Sequence, residues 1–271
     1  MKVLVTGAAG AIGRVLREGI RGRYGLVRLT DRVAMDPAGD GEETVQADMT
    51  ELDAVSAMAE GMDAVVHLAS IAFEDSWENI LPNNIVTMYN AIEAARRAGA
   101  RRFVFASSNH AVGFYPRSAF IDHRVEHRPD TRYGVAKAFG EDLGSLYVDK
   151  HDMEFFSMRI GSFQPEPKDV RMLSTWLSHG DLVRLVVTGL EAPDIGHAPV
   201  YGISRNTRSW WDNSLAFSLG YDPQDNAEDW ADRLLAVEPP EAGGEVAQTF
   251  CGGIFPEMEF DGDLPTVRKR I

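Results

Sequence analysis

One cysteine, Cys251, stands in 271 residues. That excludes an internal disulfide and any cluster of thiolates around a metal, and it fits a reducing cytoplasm. No metal site is expected. Lysine is nearly as scarce: 22 arginines and 5 lysines face 41 acidic residues, for a formal charge of −14. Such a surface repels polyanions, so nucleic acid and anionic membranes are excluded as partners. An acidic small molecule would be repelled too, unless its site carries a cation of its own. No apolar run approaches the ~20 residues that a membrane span needs. The opening MKVLVTGAAG breaks at Gly7 and reads as a first β-strand rather than a signal sequence. Internal repeats and low-complexity segments are lacking.

What is present is a regular β-α alternation. Strands are expected over 2–6, up to Asp31, and over 45–48, 63–70, 101–108 and 154–160. Helices are expected over 11–22, 50–60, 80–98 (ended by Gly99) and 131–150. The segments DAVVHLAS and RRFVFASS are near-continuous apolar runs, the pattern of a parallel sheet covered on both faces. The fold class is therefore α/β, a doubly wound parallel sheet of the Rossmann type. After Gly161 the rhythm changes. A proline-bearing loop, QPEPKD, leads to a helix near 172–189, a strand at PVYGIS, and a small cap element in GYDPQDNAEDWADRL. One domain spans 1–271, and 162–271 is expected to supply its small substrate-binding part.

TGAAGAIG sets Gly7, Gly10 and Gly13 between the first strand and the first helix. Backbone without Cβ lets a pyrophosphate approach, and the helix N-terminus offers unpaired N–H groups. The spacing is G-x-x-G-x-x-G, and its strand-turn-helix context gives it weight. Asp31 ends the second strand. A carboxylate there accepts hydrogen bonds from ribose hydroxyls and repels a 2′-phosphate, which favours NAD over NADP. Arg32 and Arg14 are the opposing signal, since an arginine can accommodate that phosphate. Asp48 has two readings of equal weight, a cap through Thr50 or a bond to the adenine amine.

RYGVAK places Tyr133 four residues ahead of Lys137, on one helix face. Alone the pair is worth little, and a solvated helix face is the default reading. In order, however, TGAAGAIG, Asp31, Asp48, HLAS, ASSNH and RYGVAK resemble the extended short-chain dehydrogenase/reductases over most of the chain. The resemblance implies Ser108 as catalytic serine, with Ser107 as its competitor, and Tyr133 and Lys137 as catalytic tyrosine and lysine. A free tyrosine with a pKa of ~10 is too weak a base at neutral pH. A nearby ammonium and the positive nicotinamide ring would stabilise its phenolate. The expected cofactor contacts are Gly7, Gly10, Ala11, Ile12, Gly13, Asp31, Arg32, Asp48, Met49, Leu68, Ala69, Ser70, Asn84, Tyr133, Lys137 and Ile160.

SSNHAVGFYP, RIGSFQPEP, RMLSTWLSH and WWDNS further resemble the uronate dehydrogenase branch. That implies oxidation of C1 of a cyclic hexuronic acid, galacturonate or glucuronate, to an aldarolactone. It also implies a uronic acid as small-molecule substrate, and self-association into a homo-oligomer. By the same resemblance Arg171 grips the substrate carboxylate, while Asn109, His110 and Ser162 meet sugar hydroxyls. A bidentate guanidinium clamp would supply the cation that the acidic surface calls for; against it stands pairing of Arg171 with Asp169 or Glu166. The family pattern has a serine where this chain has Ala72, which leaves Ser70 as the candidate there. His67, His179 and the pair Trp210–Trp211 read as packing. The rival function is a nucleotide-sugar epimerase or dehydratase, which normally carries a larger C-terminal region.

Overall fold

The computed structural model describes residues 1–236 and 242–269. Seven strands form one parallel sheet: β1 (Lys2–Thr6), β2 (Leu26–Asp31), β3 (Glu42–Gln46), β4 (Ala64–His67), β5 (Arg102–Phe105), β6 (Glu154–Ile160) and, after a separate two-strand pair β7 (Ser162–Phe163) with β8 (Trp176–Leu177), β9 (His197–Gly202). Their order is β3-β2-β1-β4-β5-β6-β9. The order reverses between β1 and β4, where Val5 lies opposite Val66 and Thr6 opposite His67. A doubly wound sheet opens its ligand crevice at the carboxyl edge of such a switch. The third strand starts and ends earlier than expected: Glu42–Gln46 is paired, and Asp48 lies beyond it in a turn.

Alternation explains how a near-continuous apolar strand is used. Val3 and Val5 face α1 (Ala11–Gly19), while Leu4 faces the layer with α2 (Leu52–Ala59). Val104 and Phe103 divide in the same way. Helix α3 (Trp77–Ile80) runs through a wide turn, Leu81–Val86, into α4 (Thr87–Ala98), which Gly99 ends in the left-handed region at φ 78°. Helix α5 (Arg132–His151) covers the same face. It approaches closely because Gly140 and Gly144 lie over the rings of Phe105 and Phe155.

The helix expected over 172–189 is broken. It starts as α6 (Met172–Thr175), becomes extended at β8, and restarts as α7 (His179–Glu191). Trp176 causes the break: its ring packs against Trp230 at 5.0 Å and its indole N–H donates to the Gln164 carbonyl at 2.8 Å. Ser178 then caps α7, accepting the Asp181 N–H at 3.0 Å. The 220–234 segment thus packs on Leu173 and Trp176. Residues after β6 are interleaved with the sheet, because β9 pairs with β6 and α7 packs beside α1. Trp211 is buried, stacked on Tyr201 at 5.0 Å, and His179 stacks on Phe163 at 4.7 Å. Among the described residues, no helix is long and apolar enough to cross a membrane.

An alanine in a helix normally gains up to ~1 kcal/mol over glycine. A Cβ at Gly144 would stand 2.5 Å from the Phe155 ring, and overpacking costs ~1–3 kcal/mol. Gly144→Ala is therefore expected to lose about 1–2 kcal/mol of stability in urea unfolding. A gain would show that Phe155 has room to move.

Candidate active site

The carboxyl edge of the sheet holds a cleft of ≈ 330 Å³ over the β1–β4 switch. Gly7 and Gly10 form its floor, Asp31 and Arg32 one wall, Asp48 and Met49 another, and Leu68, Ala69 and Ser70 the side toward β5. Gly7 has φ +68°, and a Cβ there would lie 2.7 Å from the Ala69 amide nitrogen. Only glycine permits this approach. Gly10 is the N-cap of α1 and provides no side chain to its first-turn N–H groups, which leaves them for an anion. Each oxygen of Asp31 accepts one backbone N–H, from Ala9 at 3.0 Å and from Val33 at 3.2 Å, and keeps further acceptor capacity. Asp48 accepts both the N–H and the hydroxyl of Thr50, at 2.9 and 2.8 Å, which hold its carboxyl below the ordinary range. It caps its turn and also faces the cleft.

Beneath the HLAS loop, the Thr6 hydroxyl oxygen accepts the N–H groups of Leu68 and Ala69 at 3.2 and 3.3 Å. Its proton must then go to Nδ1 of His67, 2.8 Å away. His67 is thereby set as the neutral Nε2–H tautomer, and burial, with the Lys137 charge second, pushes its pKa down to about 3.

The Lys137 ammonium donates to the Ala106 carbonyl at 2.7 Å and to the Ser70 hydroxyl at 3.0 Å. It lies 5.3 Å from the Tyr133 ring centre. Two of its three N–H groups thus tie the two strand-end loops together. Burial pushes Lys137 down to about 7 and Tyr133 up to about 12, the latter offset in part by a hydrogen bond with Ser108. Ser107 and Ser108 separate cleanly. Ser107 donates to Glu141 at 2.6 Å, within a buried cluster where Arg159 pairs with the same carboxylate at 2.8 Å. Ser108 begins the turn Asn109–Val112 and is the serine that meets Tyr133.

Beyond Ser108 lie Asn109, His110, Ser162 and Arg171. Arg171 donates through Nε and Nη2 to the Cys251 carbonyl, at 3.1 and 2.6 Å, and through Nη1 to Ser162 at 3.2 Å. With its amide turned so that both ends are satisfied, Asn109 donates to the Ile160 carbonyl at 3.0 Å and accepts from Nη2 of Arg171 at 3.1 Å. Asp169 instead accepts the Met172 N–H, and Glu166 pairs with Arg233. Among the described residues, Arg171 has no carboxylate within ion-pair distance. Burial and the like charge of Arg117 disfavour its protonated form. A guanidinium has five N–H groups, and these contacts use four. The bidentate grip expected from the sequence thus requires the Cys251 carbonyl or Ser162 to give way. His110 meets Asp130 at 2.8 Å and stacks on Phe255 at 3.8 Å.

A model of the NAD dependent epimerase/dehydratase family matches residues 3–198. The chain belongs to that family. A uronate dehydrogenase of Pseudomonas syringae pv. tomato is 45% identical over 94% of this chain and 92% of its own length. One from Agrobacterium fabrum is 46% identical, over 94% and 96%. The crystal structure of a tyrosine-to-alanine mutant of the Agrobacterium tumefaciens uronate dehydrogenase, complexed with NAD, superposes with a TM-score of 0.90, at 45% identity over 94% of this chain and 97% of that one.

In this family member several expected cofactor contacts lie away from the cleft wall. Ala11, Ile12 and Gly13 follow Gly10 in α1 and offer the cleft only their first-turn N–H groups, and Ile160 packs in the core, joined to Ser108 by a bridge. Asn84 is buried under the cleft rim. Its amide bonds both backbone groups of Ile71, each at 2.9 Å, and so ties down the HLAS loop. Asn83 and Thr87 take the cleft wall instead, with Ala9, Val33 and Ile71. The wide turn at Leu81–Val86 sets which asparagine faces the cleft, and no periodicity argument sees it. Phe255 and the Cys251 carbonyl escaped as well, because a backbone acceptor leaves no mark in a sequence.

The depressed Lys137 pKa has a consequence for stability. The unfolded chain holds that proton up to pH ~10.4, whereas the folded chain releases it near 7. Stability should therefore rise with pH from 7 to 10. Lys137→Met is expected to be more stable than the parent at pH 6, by about 1–4 kcal/mol, with the gap closing by pH ~10. Urea midpoints across that range measure this. A gap independent of pH would place the Lys137 pKa at its ordinary value.

Proposed function

We propose that the protein oxidises C1 of a cyclic hexuronic acid to the aldarolactone with NAD⁺, using Tyr133 as base, Ser108 to hold the reacting oxygen and Lys137 to set both. The observation that carries the reading is Arg171. A half-buried cation without a carboxylate is costly unless a ligand supplies the anion, and Asn109, next to Ser108 in the chain, meets Arg171. A substrate bearing a carboxylate and a ring of hydroxyls suits that wall. The named uronate dehydrogenases, alike over nearly the whole chain, support it further.

The cleft fits a dinucleotide: glycine floor and uncapped α1 for the diphosphate, Asp31 for the ribose hydroxyls. Bound NAD⁺ supplies the hydride acceptor and a positive charge. Tyr133, near 12 in the bare site, keeps its proton at neutral pH until positive charge lies beside it. As the C1–H bond breaks, Tyr133 takes the C1 hydroxyl proton at its phenolic oxygen. The Ser108 hydroxyl donates to the same substrate oxygen. C1 is the ring's anomeric carbon, so the product carbonyl is a lactone.

NADH formation from NAD⁺ with galacturonate or glucuronate tests the reading, with NADP⁺ and neutral sugars as controls. Uronate-dependent NADH with NAD⁺ is expected. Silence with both acids would end this reading and favour a UDP-sugar binding screen. Arg171→Ala should lose roughly 10²–10³-fold in kcat/KM for the uronate and under about fivefold for the neutral sugar. Equal losses would make Arg171 structural. Tyr133→Phe should lose at least about 10³-fold in kcat while NADH binding by fluorescence stays within about twofold. Surviving turnover would remove Tyr133 as base.

A further inference from the structure

Asp130 lies just ahead of α5, and its carboxylate is withdrawn from solvent. Its Oδ2 meets Nδ1 of His110 at 2.8 Å. Its Oδ1 accepts the Thr131 hydroxyl at 2.9 Å, and that hydroxyl oxygen accepts the Gly134 N–H at 3.1 Å, capping α5 beside Tyr133. The Asp130 N–H returns to the His110 carbonyl at 3.3 Å. One carboxylate therefore joins the His110 ring to the first turn of the helix that carries Tyr133.

Three glycines from three parts of the chain make the space. A Cβ on Gly113 or Gly252 would collide with Oδ2; one on Gly134 would collide with the His110 carbonyl and stand 3.2 Å from Oδ1. Among the described residues no arginine or lysine pairs with Asp130. A buried carboxylate is costly without partners, and the partners it has are His110 and the α5 cap. The opposite constraint comes from Phe255, stacked on the His110 ring at 3.8 Å. The ring is thus fixed at one edge and one face.

We propose that Asp130 is a positioning residue for substrate recognition. It holds Nδ1–H of His110, which leaves Nε2 as the nitrogen that meets a sugar hydroxyl. Through Thr131 it also sets that nitrogen relative to Tyr133. This rests on the uronate reading above, with His110 touching the substrate.

A double-mutant cycle on the full chain tests it, reading KM and kcat for the uronate and NADH affinity. Asp130→Leu keeps the size and removes the acceptor. It should raise KM about 10–30-fold, with kcat within about threefold and NADH binding within about twofold. Asp130→Asn, which retains an acceptor for Nδ1–H, should recover most of the loss. The combination of Asp130→Leu with His110→Ala should be no worse than His110→Ala alone, within about twofold. Should Asp130→Leu fail to fold, Asp130→Asn takes its place, and its smaller loss must vanish in the His110→Ala background. Additive losses, a fall in kcat at unchanged KM, or a weakened NADH affinity would overturn the inference. So would a silent His110→Ala in a protein that turns over uronates, and that result leaves the function standing. No uronate turnover by the unsubstituted chain would overturn both.

Discussion

The Lys137 ammonium is the interaction on which the site depends. It draws Ser70, at the end of β4, and the Ala106 carbonyl, at the end of β5, onto one buried charge. One loop lines the cleft through Ser70 and the other leads to Ser108. Held together by one cation on α5, they place the cleft beside Tyr133 and Ser108. A lysine suits this because its compact head can donate to two acceptors and its pKa yields to burial. A guanidinium would be larger and planar, and could not settle between the loop ends.

The charges close to this centre are partnered differently. Arg159 and Glu141 pair with each other behind Ser107, with His127 adding a bond at 2.9 Å. That network anchors Ser107 and so fixes the backbone leading into Ser108. Arg171 is held instead by neutral acceptors, the Cys251 carbonyl, Ser162 and Asn109. Neutral partners fix its position without cancelling its charge. In a protein of net charge −14, this withheld pairing gives a carboxylate a local reason to bind where the overall field repels it.

Much of this was legible in the residues. The β-α rhythm, the glycine turn and the apolar strands predict a doubly wound sheet, because period and turn chemistry are local properties. Candidate roles for Ser108, Tyr133, Lys137 and Arg171 could be named from motif order. What stayed hidden has physical reasons. Trp176 breaks the 172–189 helix by packing on Trp230, a partner 54 positions away (230 − 176). One wide turn puts Asn83 on the cleft wall and Asn84 against Ile71. The S-H-G-D cap at Ser178 was a readable signal for the restart of α7, and the apolar run across it hid the break.

The sequence by itself determined the fold class and the ligand edge of the sheet, since these follow from pattern and composition, and it named candidates for the chemistry through motif order. Tertiary structure alone gave Ser107 to Glu141 and Ser108 to Tyr133, turned the lysine of the Tyr-Lys pair toward the strand ends, and left Arg171 without a carboxylate. It also spent four of that arginine's N–H groups on protein acceptors and buried Asp130 against His110. Each of these depends on which groups from distant segments come within hydrogen-bond reach, and that is settled only when the core closes.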